Sequence, residues 1–449
     1  MVVDLAVYTV VHQPRRLKLP AQPVPRGASV EDLARCLFDE HMNEHYFREV
    51  AERSYYPAAR MFLDLVQQGM KLSIGFSLSF VRQAATWDVA LLDLFRELVA
   101  HENVELIGAE PYHSFLFMLD LPAFVAWMKE MVQDLEGIFG KRPVVTDTSD
   151  MFMSATLYNA LDAAGFRGAF MDGRPWLMGW RESTHLYRYG EEAPFALPLD
   201  TQYAKRPARK GTAEGETEQR PSSPYLLTRH LNLSDDIGSR FSKQNWSSYP
   251  LYADSYANWI ADTRGDMLVL GWDLETFGER QRKDSGIFDF MRALPGELSR
   301  RGVSSYTASE LIERHHGHVN HLPLPEIPSM WADREGVDLS LQNDAQKAVL
   351  QLMSDVYAMA KITNYPDLID LAIWLAQAEN LHLIQWCGGP ESGFTPFEWV
   401  PLGSKRIVNE LQQVYINALN AMQPYLPARL LRQSSPQRKI TRRKAVLTT

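Results

Sequence analysis

Along the chain, short uninterrupted apolar runs alternate with longer stretches in which apolar positions recur every third or fourth residue. The first kind predicts strands buried on both faces, the second amphipathic helices. "LAVYTVVHQ" (5–13) is strand-like, β-branched and closed by polar residues. A long helical pattern follows, "EHMNEHYFREVAERSYYPAARMFLDLVQQG" (40–69), then a strand at 72–80, a helix near 86–101 and the strand "VELIGAE" (104–110). A helix near 122–139, the strand "PVVTDTS" (143–149), a helix near 155–164 and the strand "GAFMDG" (168–173) continue the alternation. The strand "DMLVLGWDLE" (266–275), a helix near 286–301 and "VSSYTASELIERHH" (303–316) close it.

Such alternation predicts an α/β fold with a parallel sheet, closed into a barrel. Barrel chemistry sits where strands end. Here the strand ends carry His12 and Gln13, Glu110 and His113, Thr148 to Asp150, Asp172, and Asp273 with Glu275. That recurrence predicts an active-site face. The barrel unit is expected over 1–320. Its segment 203–225, rich in Lys, Arg, Glu, Gly, Pro and Ser, reads as an exposed insertion. From about 337 the strands stop, and helical patterns at 341–363, 366–384 and 403–424 predict a helical C-terminal unit over 321–427. A tail over 428–449 is basic throughout and reads as solvated chain.

Composition narrows the function classes. The chain has 449 residues, 45% hydrophobic and 22% charged, as in an ordinary globular protein. A net charge of −9 argues against a general nucleic-acid binder, which needs clustered Lys and Arg. No uncharged run reaches the length of a membrane span. The two cysteines, Cys36 and Cys387, match no zinc spacing, and with a first segment unlike a signal peptide they point to the cytoplasm. "HMNEH" (41–45) fits the inverted zincin pattern H-x-x-E-H. The barrel motifs have no place in a peptidase of that kind.

"HQPRRL" (12–17), "VELIGAEPYHSF" (104–115), "LSDDIGSRFS" (233–242) and "LVLGWDLETFGERQ" (268–281), in this order, resemble glycoside hydrolase family 57, most closely its α-amylase branch. The resemblance covers roughly residues 5–385. It implies an incomplete seven-stranded (β/α) barrel with a helical C-terminal region, acting on α-glucans or maltooligosaccharides with retention and with no metal or other cofactor. It also implies that Asp273, opening "DLETFGER", is the acid/base, and that His12, Gln13, Glu110, His113, Trp272 and Glu275 contact substrate.

The departures are as specific as the matches. Where the family carries its nucleophilic Glu, this chain has Ser149. Arg280 stands in place of a His, and the Asp–His pair of the family's last motif becomes Asn380–Leu381 within "QAENLH" (377–382). Retention needs two carboxyls about 5–5.5 Å apart, and a serine ether would be too stable to leave. Loss of the nucleophile costs on the order of 10⁴- to 10⁶-fold in rate. Asp150 could replace it only if a bulge turned it inward, and an inverting reaction would need only a base and a water. The expectation is reduced or lost hydrolysis, against the alternatives of a non-catalytic glucan-binding or regulatory protein and an altered-mechanism enzyme. Plainer readings stand beside these roles: Asp273 as a helix cap, His12 as a buried barrel histidine, Glu110 paired with Arg16, Asp235 and Asp236 as an N-cap, and Trp246, Trp331 and Trp374 as core.

Overall fold

A computed structural model of the chain describes residues 2–190, 223–331, 341, 343–384 and 404–427. Most of the expected insertion, 203–222, and the basic tail lie outside the described residues.

The described residues form ten strands: β1 (Asp4–Val11), β2 (Leu72–Phe76), β3 (Val104–Ile107), β4 (Val145–Thr146), β5 (Gly168–Asp172), β6 (Leu186–Tyr189), β7 (Tyr225–Arg229), β8 (Met267–Asp273), β9 (Ser305–Tyr306) and β10 (Val319–Leu322). Seven pair in parallel in the order β4–β5–β7–β8–β1–β2–β3. β7 and β8 meet through a single residue pair, Arg229 with Val269. The two ends of the run are joined by Gly108, just past β3, bridged to Thr146 of β4. β6 and β10 extend the sheet beside β7, and β9 pairs with the start of β1. The alternation predicted the parallel sheet, and the seven-stranded (β/α) arrangement is the one the resemblance implied. β7 completes it, although its first residue, Tyr225, fell within the expected insertion.

Strand parity separates two cores, because successive side chains point to opposite faces. Ala6, Tyr8, Ile107, Val145, Phe170, Leu227, Met267 and Val269 pack together inside the strands. Leu5, Val7, Leu72, Ile74, Leu106, Leu226, Leu268 and Leu270 face the helices. Tyr8 stacks on Phe170 with ring centroids 3.8 Å apart, and Gly271 leaves the room for it: a Cβ there would lie 2.1 Å from the Tyr8 ring.

The helical pattern at 40–69 is two helices, Glu40–Val50 and Tyr56–Gln67, joined by a π-turn at Ala51–Tyr55. Pro57 lacks an amide for the regular ladder and sits in the first turn of the second helix, where none is needed. The expected strand 72–80 stops at Phe76, because the Ser77 hydroxyl accepts from the Phe80 amide and starts a helix. The C-terminal helices Asp344–Thr363, Pro366–Leu375 and Ser404–Met422 contribute Val349, Met353, Leu371, Trp374, Leu411 and Tyr415 to the same core as the barrel's outer face. No helix among the described residues is long and apolar enough to cross a membrane.

Candidate active site

The inward parity carries polar groups to the C-terminal ends of the parallel strands. Two residues beyond Val145 comes Asp147, beyond Phe170 comes Asp172, and beyond Leu227 comes Arg229. Two steps beyond Val269 comes Asp273, and two beyond Tyr8 comes His12. Trp272 has the opposite parity. It is buried toward the helices, its indole N–H donating to the Ser234 carbonyl at 2.7 Å, and is not brought to this face.

At one side of the mouth, two imidazoles share one carboxylate. Glu379 Oε1 lies 2.6 Å from His113 Nδ1 and 3.0 Å from His12 Nε2. His12 Nδ1 lies 2.8 Å from the Ser77 hydroxyl. Burial would raise Glu379, but the two histidines outweigh it and hold its carboxyl well below the usual range. Burial lowers His12 further than Glu379 raises it. For His113 burial is outweighed by Glu379 and Asp150, which pull it upward. The Asp150 amide opposes them: donating to Nε2 at 3.0 Å, it needs a lone pair there and favours the neutral ring with its proton on Nδ1. Among the described residues, His12, His113 and Glu379 form the one group of three or more such side chains able to hold a metal ion.

The turn after β4 does not use a bulge. Asp150 and Met151 both adopt left-handed backbone conformations, φ 48° and 51°. The strain is held by surrounding contacts: the Trp331 indole donates to Asp150 Oδ1 at 2.9 Å, the Trp331 amide donates to the Asp150 carbonyl, and the Tyr8 hydroxyl reaches the Met151 sulfur. His382 Nε2 lies 3.3 Å from Asp150 Oδ2. Burial would raise Asp150, but His113, His382 and the indole keep it ionised. Ser149 is buried, and its hydroxyl donates to the Ser114 carbonyl at 3.0 Å.

Asp273 is the exposed carboxylate of the mouth. It stands at the N-cap position of the short turn Leu274–Thr276, but its side chain makes no cap bond there; Arg280 Nη2 pairs with its Oδ2 at 3.0 Å. Two neighbours are held neutral. Burial pushes Asp147 up to about 8, helped by the Asp273 charge, and burial with the same charge pushes Glu275 to about 8. The Tyr55 hydroxyl lies 2.7 Å from Glu275 Oε1 and 2.8 Å from Gln13 Oε1. With one proton it can donate to only one of them, and a protonated Glu275 can supply the other. Gln13 and Glu275 are therefore joined beneath Asp273. Glu110 accepts from the Tyr112 amide, the Ser114 amide and the Ser114 hydroxyl, so its carboxylate shapes the turn that presents His113. Arg229 binds Asp172 at 2.8 Å and Asp235 at 2.7 Å, and Arg240 binds Asp236. Asp235 and Asp236 thus serve ion pairs, not an N-cap. His41 and His45 of the H-x-x-E-H pattern are both exposed on the Glu40–Val50 helix, away from this cluster.

The family model described as Glycosyl hydrolase family 57 matches residues 6–324. The chain belongs to glycosyl hydrolase family 57. A protein named "Putative alpha-amylase" from Methanocaldococcus jannaschii is 28% identical over 391 residues, 83% of this chain and 74% of its own length. The 4-alpha-glucanotransferase of Thermococcus litoralis superposes with a TM-score of 0.61 at 13% identity, covering 95% of this chain. The chain spans only 60% of that enzyme's length. The family 57 branching enzyme of Thermococcus kodakaraensis, solved with glucose, gives 0.59 at 14% identity over 96% of this chain and 94% of its own. At such identities the solved structures speak for the fold alone.

For a family 57 chain the mouth holds residues that the motifs did not single out. Glu379 and His382 flank Asn380–Leu381, where the family pair was sought, and restore a carboxylate and an imidazole one position to either side. Asn380 and Leu381 themselves are buried. Trp331, read as core, binds Asp150, and Arg229 closes the β7 strand that the alternation had passed over. A signal existed for the first two: both lie in "QAENLH", a polar break inside an apolar helical pattern.

Proposed function

We propose that this protein takes an α-glucan or maltooligosaccharide at the strand-end mouth, as an α-amylase-like member of family 57, and that retaining hydrolysis there is reduced or lost. Asp273 is the surviving acid/base, with Arg280 orienting it. The observation that carries this reading is the state of Ser149, a buried hydroxyl spent on the Ser114 carbonyl. The other carboxyls described at this mouth are engaged: Asp147 and Glu275 keep their protons to about 8, Asp150 is enclosed by His382 and Trp331, and Glu379 is held by His12 and His113. His12, Gln13, Glu110 and His113 build the floor and wall against which a sugar would rest. The names of the relatives, an alpha-amylase, a glucanotransferase and a branching enzyme, support the substrate class.

One observation favours a second reading. Asp147, inward-facing and protonated near neutral pH, lies within electrostatic reach of the Asp273 carboxyl. A proton-donating and a proton-accepting carboxyl at one mouth are what an altered, inverting route requires. The experiment is product formation from a maltooligosaccharide with a good leaving group, in wild type, Ser149→Glu, Asp273→Asn and Asp147→Asn. The main reading expects no measurable turnover in wild type and its appearance in Ser149→Glu. Wild-type turnover that is lost in both Asp147→Asn and Asp273→Asn would establish the second reading instead.

A further inference from the structure

We propose that His12, His113 and Glu379 bind one divalent transition-metal ion, of which zinc is the natural probe. The family resemblance implied chemistry without a metal, and the geometry here departs from that expectation. Two imidazole nitrogens and a carboxylate oxygen lie within 4.8 Å of one another. Each of the three side chains keeps between 15% and 20% of its surface open, enough for an ion to enter without the fold opening. The second oxygen of the shared carboxylate, Glu379 Oε2, is buried without a hydrogen-bond partner. A buried carboxylate oxygen left unpaired is costly, and a cation is the group that satisfies it.

The donor set selects the kind of ion. Imidazole suits zinc, nickel, copper and iron, whereas calcium and magnesium prefer oxygen. Metal–ligand bonds of about 2.0–2.1 Å place neighbouring ligand atoms roughly 3 Å apart, so the 2.6 Å contact between His113 and Glu379 must open slightly and the two imidazole nitrogens, within 4.8 Å of one another, must take up the same spacing. The outer partners needed to orient the ligands are present. With His12 Nε2 on the ion, its Nδ1–H donates to the Ser77 hydroxyl. With His113 Nδ1 on the ion, its proton moves to Nε2, so the ring gives up the Asp150 amide it accepts from at 3.0 Å and rotates to donate to Asp150 Oδ1, now 3.7 Å away. The three ligands come from the end of β1, the turn after β3 and the C-terminal helical segment, so the ion would fasten that segment to the barrel.

The test is calorimetric titration of the chelator-treated full chain with zinc chloride, with cobalt(II) absorption as a spectroscopic check of imidazole coordination. One ion per chain is expected, bound equally well by His41→Ala, at least tenfold more weakly by Glu379→Gln, and about tenfold more weakly by Ser77→Ala. Zinc should raise the melting temperature of wild type and leave that of Glu379→Gln unchanged. Circular dichroism of each variant separates lost binding from lost fold, and Ser77→Ala keeps the test independent of the cluster itself. No saturable one-to-one binding in wild type would overturn the proposal, as would binding that survives Glu379→Gln. Neither result depends on whether the protein turns over glucan.

Discussion

Asp147 ends a strand inside the barrel with its proton retained to about 8, far above the ordinary 3.8. The unfolded chain releases that proton first as pH rises. Asp147 therefore contributes stability that is complete below about pH 4 and is lost on the way to pH 8. Asp147→Asn keeps the acceptor for the Thr148 amide, 2.8 Å from Oδ1, and has nothing to ionise. Relative to wild type, the variant is expected to gain stability between pH 4 and 8, by up to about 5 kcal/mol. Urea unfolding at a series of pH values would show this. Glu275, also near 8, leaves a smaller slope of the same sign. Single residues of this mouth were legible where a strand end announced them, as with Asp172 and Asp273; Asp147 lies one residue before the polar group marked at the end of its strand. Glu379 and His382 were marked only by the polar break they sit in, because their approach to His12, His113 and Asp150 is a tertiary contact that no local period encodes.

Among the elements, the π-turn at Ala51–Tyr55 links packing to the site. It aims Tyr55 at Gln13 and Glu275, and the Ser54 hydroxyl donates to the Leu274 carbonyl, so the turn lies directly against the loop that carries Asp273 and Glu275. Gly278 makes that approach feasible: its φ is +110°, and a Cβ there would sit 2.0 Å from the Arg53 carbonyl oxygen. Gly278→Ala meets both a disfavoured backbone and a clash with main chain that cannot rotate away. A loss of about 3 kcal/mol or more is expected in denaturant unfolding, together with loosening of the Asp273 loop. The sequence showed an unbroken helical period through 40–69, since a π-turn adds one residue without disturbing the apolar stripe enough to be seen. Pro57 was the visible sign. β7 was passed over for another reason: "YLLTR" is short, and directly follows a polar stretch that read as insertion.

The barrel and the C-terminal helices, which the sequence divides near residue 320, are stitched together at the mouth itself. The Phe115 amide donates to the Ala376 carbonyl and the Ala378 amide to the His113 carbonyl, a short bridge between the two expected units. Gln377 lies at its centre, accepting from the Arg15 amide at 3.1 Å and donating to the Tyr112 carbonyl at 2.9 Å. The Tyr112 hydroxyl reaches Asp370 at 2.6 Å, and the Tyr112 ring stacks on Trp374. Segments that share buried amides and one apolar core lose both together, so they should unfold as one cooperative unit. A single calorimetric transition is expected, with equal calorimetric and van't Hoff enthalpies. Two separable transitions would establish an independent C-terminal domain. Gln377→Ala tests the stitch directly: it strands a buried amide and a buried carbonyl, at a cost of about 2–4 kcal/mol. Because the same bridge presents His113 to Glu379, the loss should appear as a lower melting temperature of the whole transition, and the mouth should lose its shape with it.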